Sequence, residues 1–319
     1  MSLSELKTEL EDEISKIMDE DFNVLVTETS LVPTVDSENI TYPNLDDKRI
    51  KSVTINTCIL YIDIRNSTQL NIDYNLKTLT RLYSAFMRSM TKAAQYFGGH
   101  VRNIIGDRVM VVFEEEDCFT NAVETAILLN SVSEYLLNKY FPEEKLEFGI
   151  GIDYGEMLVS KGGIRKDGKE NAPYKSLVWL GKPANIASKL TDLANKSIET
   201  NSFYIIDKRD PGNKKYHNLS FEDFFRHDKF LSKQKFSRTK RSDDNDLDFL
   251  YSENYSAFPE RSSHKTPKIL MTEKVYLEYK NSNPNDLSVK ENFWKKQPSH
   301  ILNRKTIYGG SIIYRIFKS

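Results

Sequence analysis

Val101-Arg102-Asn103-Ile104-Ile105-Gly106-Asp107-Arg108-Val109-Met110-Val111-Val112-Phe113 is the stretch that decides the fold. Two runs rich in β-branched residues flank a Gly-Asp pair, which predicts strands over 101–105 and 109–113 joined by a tight turn, with Asp107 near its tip. Upstream, Leu76, Leu79, Leu82, Phe86, Met90, Ala93, Ala94 and Phe97 recur at helical spacing, and Gly98-Gly99 supplies the stop. Before that helix, the apolar run Ile59-Leu60-Tyr61-Ile62 ends at Asp63 and predicts a buried strand, followed by the polar loop Arg65-Asn66-Ser67-Thr68. Downstream, Asp117 is placed to cap a helix through Ala122, Ala126, Ile127, Leu129 and Tyr135. Residues 146–153 then predict a strand that Gly155 turns into another over 157–160. The order strand, helix, strand, strand, helix, strand is the ferredoxin-like βαββαβ unit, an α+β fold. A strand over 177–180 and a helix over 184–194 extend it.

The ends of the chain differ from this centre. Residues 4–19 carry Leu6, Leu10, Ile14 and Ile17 at three- and four-residue steps, which predicts an amphipathic helix, and polar, proline-interrupted sequence follows. We read 1–52 as a helix and arm, and 53–319 as one domain with a charged insertion at about 196–266. There Lys229, Lys233, Lys235, Arg238, Lys240 and Arg241 precede Asp243, Asp244, Asp246 and Asp248. That block predicts a partly disordered segment, and its acidic half would cancel the field of a cationic binding patch. Regular patterns resume over 268–279, and 307–317 predicts a closing hairpin that turns at Gly309-Gly310.

Composition sets further bounds. The 319 residues hold 45 Lys+Arg against 46 Asp+Glu, and a net charge of -1 excludes a strongly basic nucleic-acid coat. Cys58 and Cys118 sit in apolar contexts without CxxC spacing, which predicts two buried, inert thiols. No apolar run approaches the about 18 residues of a membrane span, and the first 21 residues lack an apolar signal core, so the expectation is a cytoplasmic protein. Ten of the 13 glycines fall between Gly98 and Gly181 and none precedes Gly98, which marks where the backbone turns sharply or approaches something closely.

Two carboxylates converge on this topology. Asp63 terminates the first core strand and Asp107 lies on the turn between the next two, so both reach one end of the sheet. Two hard oxygen ligands plus a strand-end carbonyl, such as that of Ile64, suit Mg2+, which binds through one or two carboxylates together with substrate phosphates. Two such ions about 3.5–4 Å apart suit displacement at phosphorus. An isolated Gly-Asp turn would be only a turn. Asn66, Ser67 and Thr68, with the N–H groups of a tight strand-to-helix turn, add phosphate donors beside the pair.

Four blocks carry a resemblance: Tyr61 to Thr68, Gly98-Gly99 leading into Ile105 to Phe113, Gly149-Ile150-Gly151-Ile152-Asp153-Tyr154-Gly155-Glu156, and Gly181-Lys182-Pro183-Ala184-Asn185-Ile186-Ala187-Ser188-Lys189. Together they resemble the catalytic domain of class III nucleotide cyclases, in the family's order over about residues 55–195, with a weaker match at 269–276. The resemblance implies that Asp63 and Asp107 hold two Mg2+ or Mn2+ ions and that Asn185 orients the sugar. Lys189 stands where an arginine usually stabilises the transition-state phosphate; lysine keeps the charge and loses the planar fork. It also implies a head-to-tail homodimer, with the Asp63 and Asp107 of one chain facing the Asn185 and Lys189 of the other. Taken singly, Asn185 reads equally as a helix-cap residue and Lys189 as a solvated one.

The base-reading positions depart from the family. Where adenylate cyclases usually carry a lysine shortly before the Gly-Asp turn, this chain has Asn103 next to Arg102. Where they carry an aspartate or threonine before the Gly181 block, it has Val178 and Trp179. The guanine-reading glutamate and cysteine are missing too. Tyr61, in a slot where phenylalanine is more common, adds a hydroxyl that can meet a base edge, while core packing explains Tyr61 and Trp179 equally well. These departures most resemble the bacterial Pycsar pyrimidine cyclases, which make cyclic UMP or cyclic CMP as an alarm signal in phage defence. The expectation is a cyclase that takes UTP, or alternatively CTP, partnered by a downstream cyclic-nucleotide-binding effector. Arg304 and Lys305 are triphosphate contacts by position only. An adenylate cyclase with unusual base readers, an inactive nucleotide-binding regulatory domain and a polymerase palm are the competing readings, the last disfavoured by the near-neutral charge.

Overall fold

The computed structural model describes residues 1–319 except 142–144, 172–175, 218–236, 241–247, 252–254, 299–301, 303–304 and 319. The chain divides into two units, one of Met1–Ala194, Pro267–Gln297 and Thr306–Ser319, the other of Asn195–Thr266 and Pro298–Lys305. In the first unit it runs α1 (Leu3–Ile17), β1 (Asn23–Glu28), β2 (Arg49–Ile64), α2 (Ser67–Asp73), α3 (Leu76–Tyr96), β3 (His100–Ile105), β4 (Arg108–Val112) and α4 (Cys118–Ser131). A π turn at Val132–Leu137 leads into α5 (Asn138–Tyr140), then β5 (Phe148–Lys161), β6 (Ile164–Lys166), β7 (Lys169–Asn171), β8 (Leu177–Leu180) and α6 (Lys182–Leu193). The second unit holds β9 (Ser197–Asp207), β10 (Asp210–His217), β11 (Ser237–Lys240), β12 (Asp248–Tyr251) and β13 (Tyr255–Lys265). The chain then returns to the first unit as β14 (Ile269–Thr272), α7 (Glu273–Ser282), α8 (Leu287–Lys290), β15 (Lys295–Lys296) and β16 (Ile307–Gly310).

β5, β2, β4 and β3 lie side by side in that order, each pair antiparallel. With α3 joining β2 to β3 and α4 leading from β4 toward β5, this is the expected ferredoxin-like βαββαβ arrangement. β14 adds to β5 in parallel, and β16 and β15 follow outward. Side chains alternate along β2: Cys58, Leu60, Ile62 and Ile64 enter one core, Val53, Ile55 and Ile59 the other, so one strand serves both faces of the sheet. α3 forms because Asn75 accepts a hydrogen bond from Thr78 N at 3.0 Å and because Leu79, Leu82, Phe86, Met90, Ala93 and Ala94 make one apolar stripe. That stripe packs on the first core together with α4 and α7. Cys58 and Cys118 are both buried there as free thiols.

The opposite face is covered by α6, whose Ala184 and Ala187 join the second core. The helix lies close to the sheet because β5 carries glycine beneath it. A Cβ added at Gly151 would stand 2.3 Å from Ala187 O and 2.4 Å from Thr191 N, both main-chain atoms with nowhere to go.

Several expectations are corrected. The 52/53 boundary falls inside β2, and the preceding arm contributes to the fold: β1 pairs in parallel with the first part of β2, and Val32 and Ile40 are buried in the second core. Polar composition concealed this because an added strand is held mainly by its main chain. Gly155 does not turn the chain, since β5 runs unbroken through it as the partner of Thr57. Asp117 caps α4 through its carbonyl, which accepts from Asn121 N at 2.9 Å; with φ 55° its carboxylate makes no capping bond. The terminal residues form no hairpin at Gly309-Gly310, because β16 is already paired by β14 on one side and β15 on the other. The described residues of the insertion form an antiparallel sheet in the order β10-β9-β13-β12-β11. There β9 and β13 pair along their whole lengths, a main-chain ladder that needs no hydrophobic periodicity. Lys229, Lys233, Lys235, Arg241, Asp243, Asp244 and Asp246 lie outside the described residues, as does Arg304. No helix among the described residues is long and apolar enough to cross a membrane.

Replacing Gly151 by Ala forces α6 off β5 and is expected to cost about 1–3 kcal/mol of stability, readable as a lower urea midpoint.

Candidate functional site

β2 ends where the β3–β4 hairpin turns. Register sets Ile62 opposite Val109 of β4 and Asp63 opposite Gly149 of β5, which brings Asp63 to the hairpin tip. Gly106 takes φ +60° there, a value glycine adopts without strain, and the turn presents Asp107 toward Asp63. The Asp63 side chain keeps 14% of its exposure. Asp107 is half-buried; its carboxyl accepts a hydrogen bond from Ser67, while Oδ2 is buried with no hydrogen-bond partner among the described residues. Burial, and then the charge of Asp63, hold the Asp107 carboxyl above the ordinary carboxylate range.

Beyond Asp63 the chain reverses through Asn66, in the left-handed region at φ 56°, and Ser67 and Thr68 open α2. Asn66 and Thr68 are exposed and Ser67 is half-buried. The Ile64 side chain lies in the first core, so any ligand it supplies is its main chain.

Two arginines organise the surroundings, and neither was singled out from the sequence. Arg65 is 8% exposed and donates through Nη2 to Thr191 O in α6. Gly149 makes room for it, since a Cβ there would fall 1.5 Å from Arg65 Nη2. Burial lowers the Arg65 pKa, opposed by the charge of Asp63. Arg108 donates from Nη2 to Asp63 Oδ2 at 2.6 Å and to Asp192 Oδ1, and from Nη1 to Ser188 Oγ at 2.8 Å. Such charge-assisted contacts are the short, strong class of hydrogen bond. The available signal was positional: an arginine follows closely on each aspartate, Arg65 two residues after Asp63 and Arg108 next to Asp107.

Asn185 and Lys189 are exposed, one turn apart on the outward side of α6. Among the described residues, no hydrogen bond or ion pair joins either to Asp63 or Asp107 of the same chain. Tyr61 packs on the second core; burial raises its hydroxyl pKa, and its carbonyl accepts from Thr191 Oγ1 at 3.3 Å. Arg102 stands at a register shift in β3, its guanidinium 3.4 Å from His100 Nδ1, and half-buried Asn103 lies opposite Met110. Val178 and Trp179 sit on β8 beside Ser160 and Val159. Gly149, the partner of Asp63, is ten residues back along β5 from Val159, about 33 Å at strand spacing. One chain therefore gathers Asp63, Asp107 and Ser67, and leaves Val178 and Trp179 well apart from them. The Trp179 Nε1 is buried with no hydrogen-bond partner among the described residues.

The donor set fits a hard divalent cation. Two carboxylates share one sheet end, repel each other, and leave one buried oxygen unpaired, which a cation would satisfy. Among the described residues no group of three or more His, Cys, Asp or Glu side chains forms a full metal cage. Mg2+ needs none, because it keeps waters and takes phosphate oxygens alongside one or two carboxylates.

No protein-family model matches the chain. Among curated proteins it is similar to the uridylate cyclase of Burkholderia cepacia, 29% identical over 194 residues that cover 59% of this chain and 79% of that protein. The uridylate cyclase of Xanthomonas perforans is 30% identical over 192 residues, 58% of this chain and 77% of that protein. The cytidylate cyclase of Staphylococcus aureus is 36% identical over 118 residues, 34% of this chain and 28% of that protein.

Replacing Asp107 by Asn removes a carboxylate that burial and Asp63 disfavour in its charged form. The variant is expected to melt about 1–3 °C higher than the wild type by calorimetry at neutral pH, and to lose Mn2+ binding.

Proposed function

This chain belongs to the nucleotide cyclase family of the uridylate cyclases to which it is similar, and on that footing we propose that it converts UTP to 3′,5′-cyclic UMP and pyrophosphate. The observation that carries the reading is the convergence of Asp63 and Asp107 at one sheet end with an unpaired buried oxygen between strand and hairpin. In the reaction the ribose 3′-oxygen bonds to the α-phosphorus as the bond to the β-phosphate oxygen breaks, and the hydroxyl proton leaves to solvent. A pair of Mg2+ or Mn2+ ions, held by Asp63, Asp107 and the Ile64 main chain, supplies charge neutralisation at the triphosphate and makes the 3′-hydroxyl more acidic.

The chain's own residues do the rest. Ser67 holds the Asp107 carboxyl in place, and the Asn66–Thr68 turn offers main-chain N–H groups to phosphate. Asn185 orients the ribose and Lys189 offsets charge that develops on the phosphate in the transition state. Their outward position on α6, without contact to the Asp63 pair of their own chain, supports a homodimer in which they complete the partner's site. In that site Tyr61, Arg102, Asn103, Val178 and Trp179 are the candidates to meet the base. The products would act in the cytoplasm on a cyclic-nucleotide-binding effector, in signalling of the antiphage kind. The relative named cytidylate cyclase supports CTP as the second reading. Uracil and cytosine differ along one edge, where an accepting O4 and a donating N3–H in uracil become a donating N4 and an accepting N3 in cytosine, an exchange that one rotated side-chain amide accommodates.

The test is incubation of the purified protein with Mn2+ or Mg2+ and each of ATP, GTP, CTP and UTP, with cyclic products identified by mass spectrometry. Cyclic UMP is expected in at least about tenfold excess over the other three products. Asp63→Ala and Asp107→Ala each lose about 10²-fold or more of that activity, and Asn185→Ala mixed with Asp63→Ala regains part of it. Turnover of CTP alone selects the second reading, turnover of ATP alone overturns the pyrimidine assignment, and no turnover by the wild type indicates a regulatory nucleotide-binding domain.

A further inference from the structure

The guanidinium of Arg108 rests on the same carboxylate that the site offers to a divalent cation. Its Nη2 lies 2.6 Å from Asp63 Oδ2, at a place where Asp63 keeps 14% and Arg108 26% of side-chain exposure. The same guanidinium also reaches Ser188 Oγ at 2.8 Å and Asp192, both on α6, and the Asp192 side chain is half in solvent at 52%. Among the described residues Asp107 has no such counter-ion, and its Oδ2 has no hydrogen-bond partner. A guanidinium and a dication a few ångström apart on one carboxylate repel each other strongly in so shielded a place. Binding of the cation therefore requires Arg108 to leave Asp63, and Asp192 and Ser188 are anchors it already holds.

We propose that Arg108 is a built-in counter-cation of Asp63 that a divalent metal must displace, with Asp192 and Ser188 of α6 retaining the guanidinium as it leaves. The inference rests on the assignment of Asp63 and Asp107 as metal ligands. Arg108 then acts as a positioning residue: it sets the affinity of the site for metal and ties Asp63 to the helix that carries Asn185 and Lys189. Of the other charged groups facing Asp63, Arg65 is committed to the Thr191 carbonyl and Asp107 carries like charge. Arg108 is therefore the cation whose removal frees the Asp63 carboxylate.

The experiment measures Mn2+ binding by the full chain without nucleotide, from the electron paramagnetic resonance signal of free Mn2+. Arg108→Gln is expected to bind about three- to tenfold more tightly than the wild type, and Arg108→Lys, which keeps charge and loses the fork, to fall between them. Asp192→Asn is expected to weaken binding about two- to fivefold, because the guanidinium then has only Asp63 and Ser188. The same substitution made on Arg108→Gln is expected to change nothing, the coupling that a mere loss of negative charge would not produce. Wild-type binding with Arg108→Gln unchanged or weaker overturns the inference and leaves the metal assignment standing, as does an Asp192→Asn effect equal on both backgrounds. Absence of Mn2+ binding by both the wild type and Arg108→Gln overturns the metal assignment and the inference together. Should Arg108→Gln fail to fold, Arg108→Lys and Asp192→Asn carry the same test with opposite expected signs.

Discussion

The contact on which the site depends is the seating of α6 against β5, main chain on main chain, at Gly151. With any side chain there, a carbon would stand 2.3 Å from the Ala187 carbonyl and the helix would have to lift. Because it does not, α6 lies low enough for four hydrogen bonds to join it to the strands and hairpin beneath. Thr191 bonds the Tyr61 carbonyl, Arg65 bonds the Thr191 carbonyl, and Arg108 bonds Ser188 and Asp192. Gly149 serves the same seating by leaving the volume that the Arg65 guanidinium fills.

The charges around this seam are unevenly matched. Asp63 and Asp192 share Arg108, whereas Asp107 has a hydrogen bond from Ser67 and a second oxygen left unpaired in a buried position. A protein that needed only stability would pair that oxygen or dispense with the carboxylate. Retaining it beside Asp63 keeps a place where positive charge is favoured. On the function we propose, that place would meet a polyanionic triphosphate whose reaction builds more charge at phosphorus.

Much of the core was readable along the chain. The Gly106-Asp107 turn between two β-rich runs, the apolar stripe from Leu79 to Ala94 and the run ending at Asp63 act through contacts a few residues apart, so their periodicity declares them. What was misread lacks such a local signal. β1 and the strands of the insertion are held by main-chain pairing that polar residues make as well as apolar ones. Gly155 looked like a turn because a close approach and a turn both select glycine, and only the neighbouring chain distinguishes them.

The amino-acid sequence by itself determined the βαββαβ order, the placing of Asp63 at a strand end and Asp107 at a hairpin tip, and the family to which the chain belongs. All of these are written in short-range periodicity, turn chemistry and motif register. The tertiary structure alone decided which charges meet. Arg108 finds Asp63, Ser188 and Asp192 at separations of 45, 80 and 84 residues, and Arg65 finds Thr191 at 126. No periodicity extends that far: an ion pair depends on distance in space, and the seating of one helix over Gly151, with Gly149 leaving room for Arg65, sets that distance.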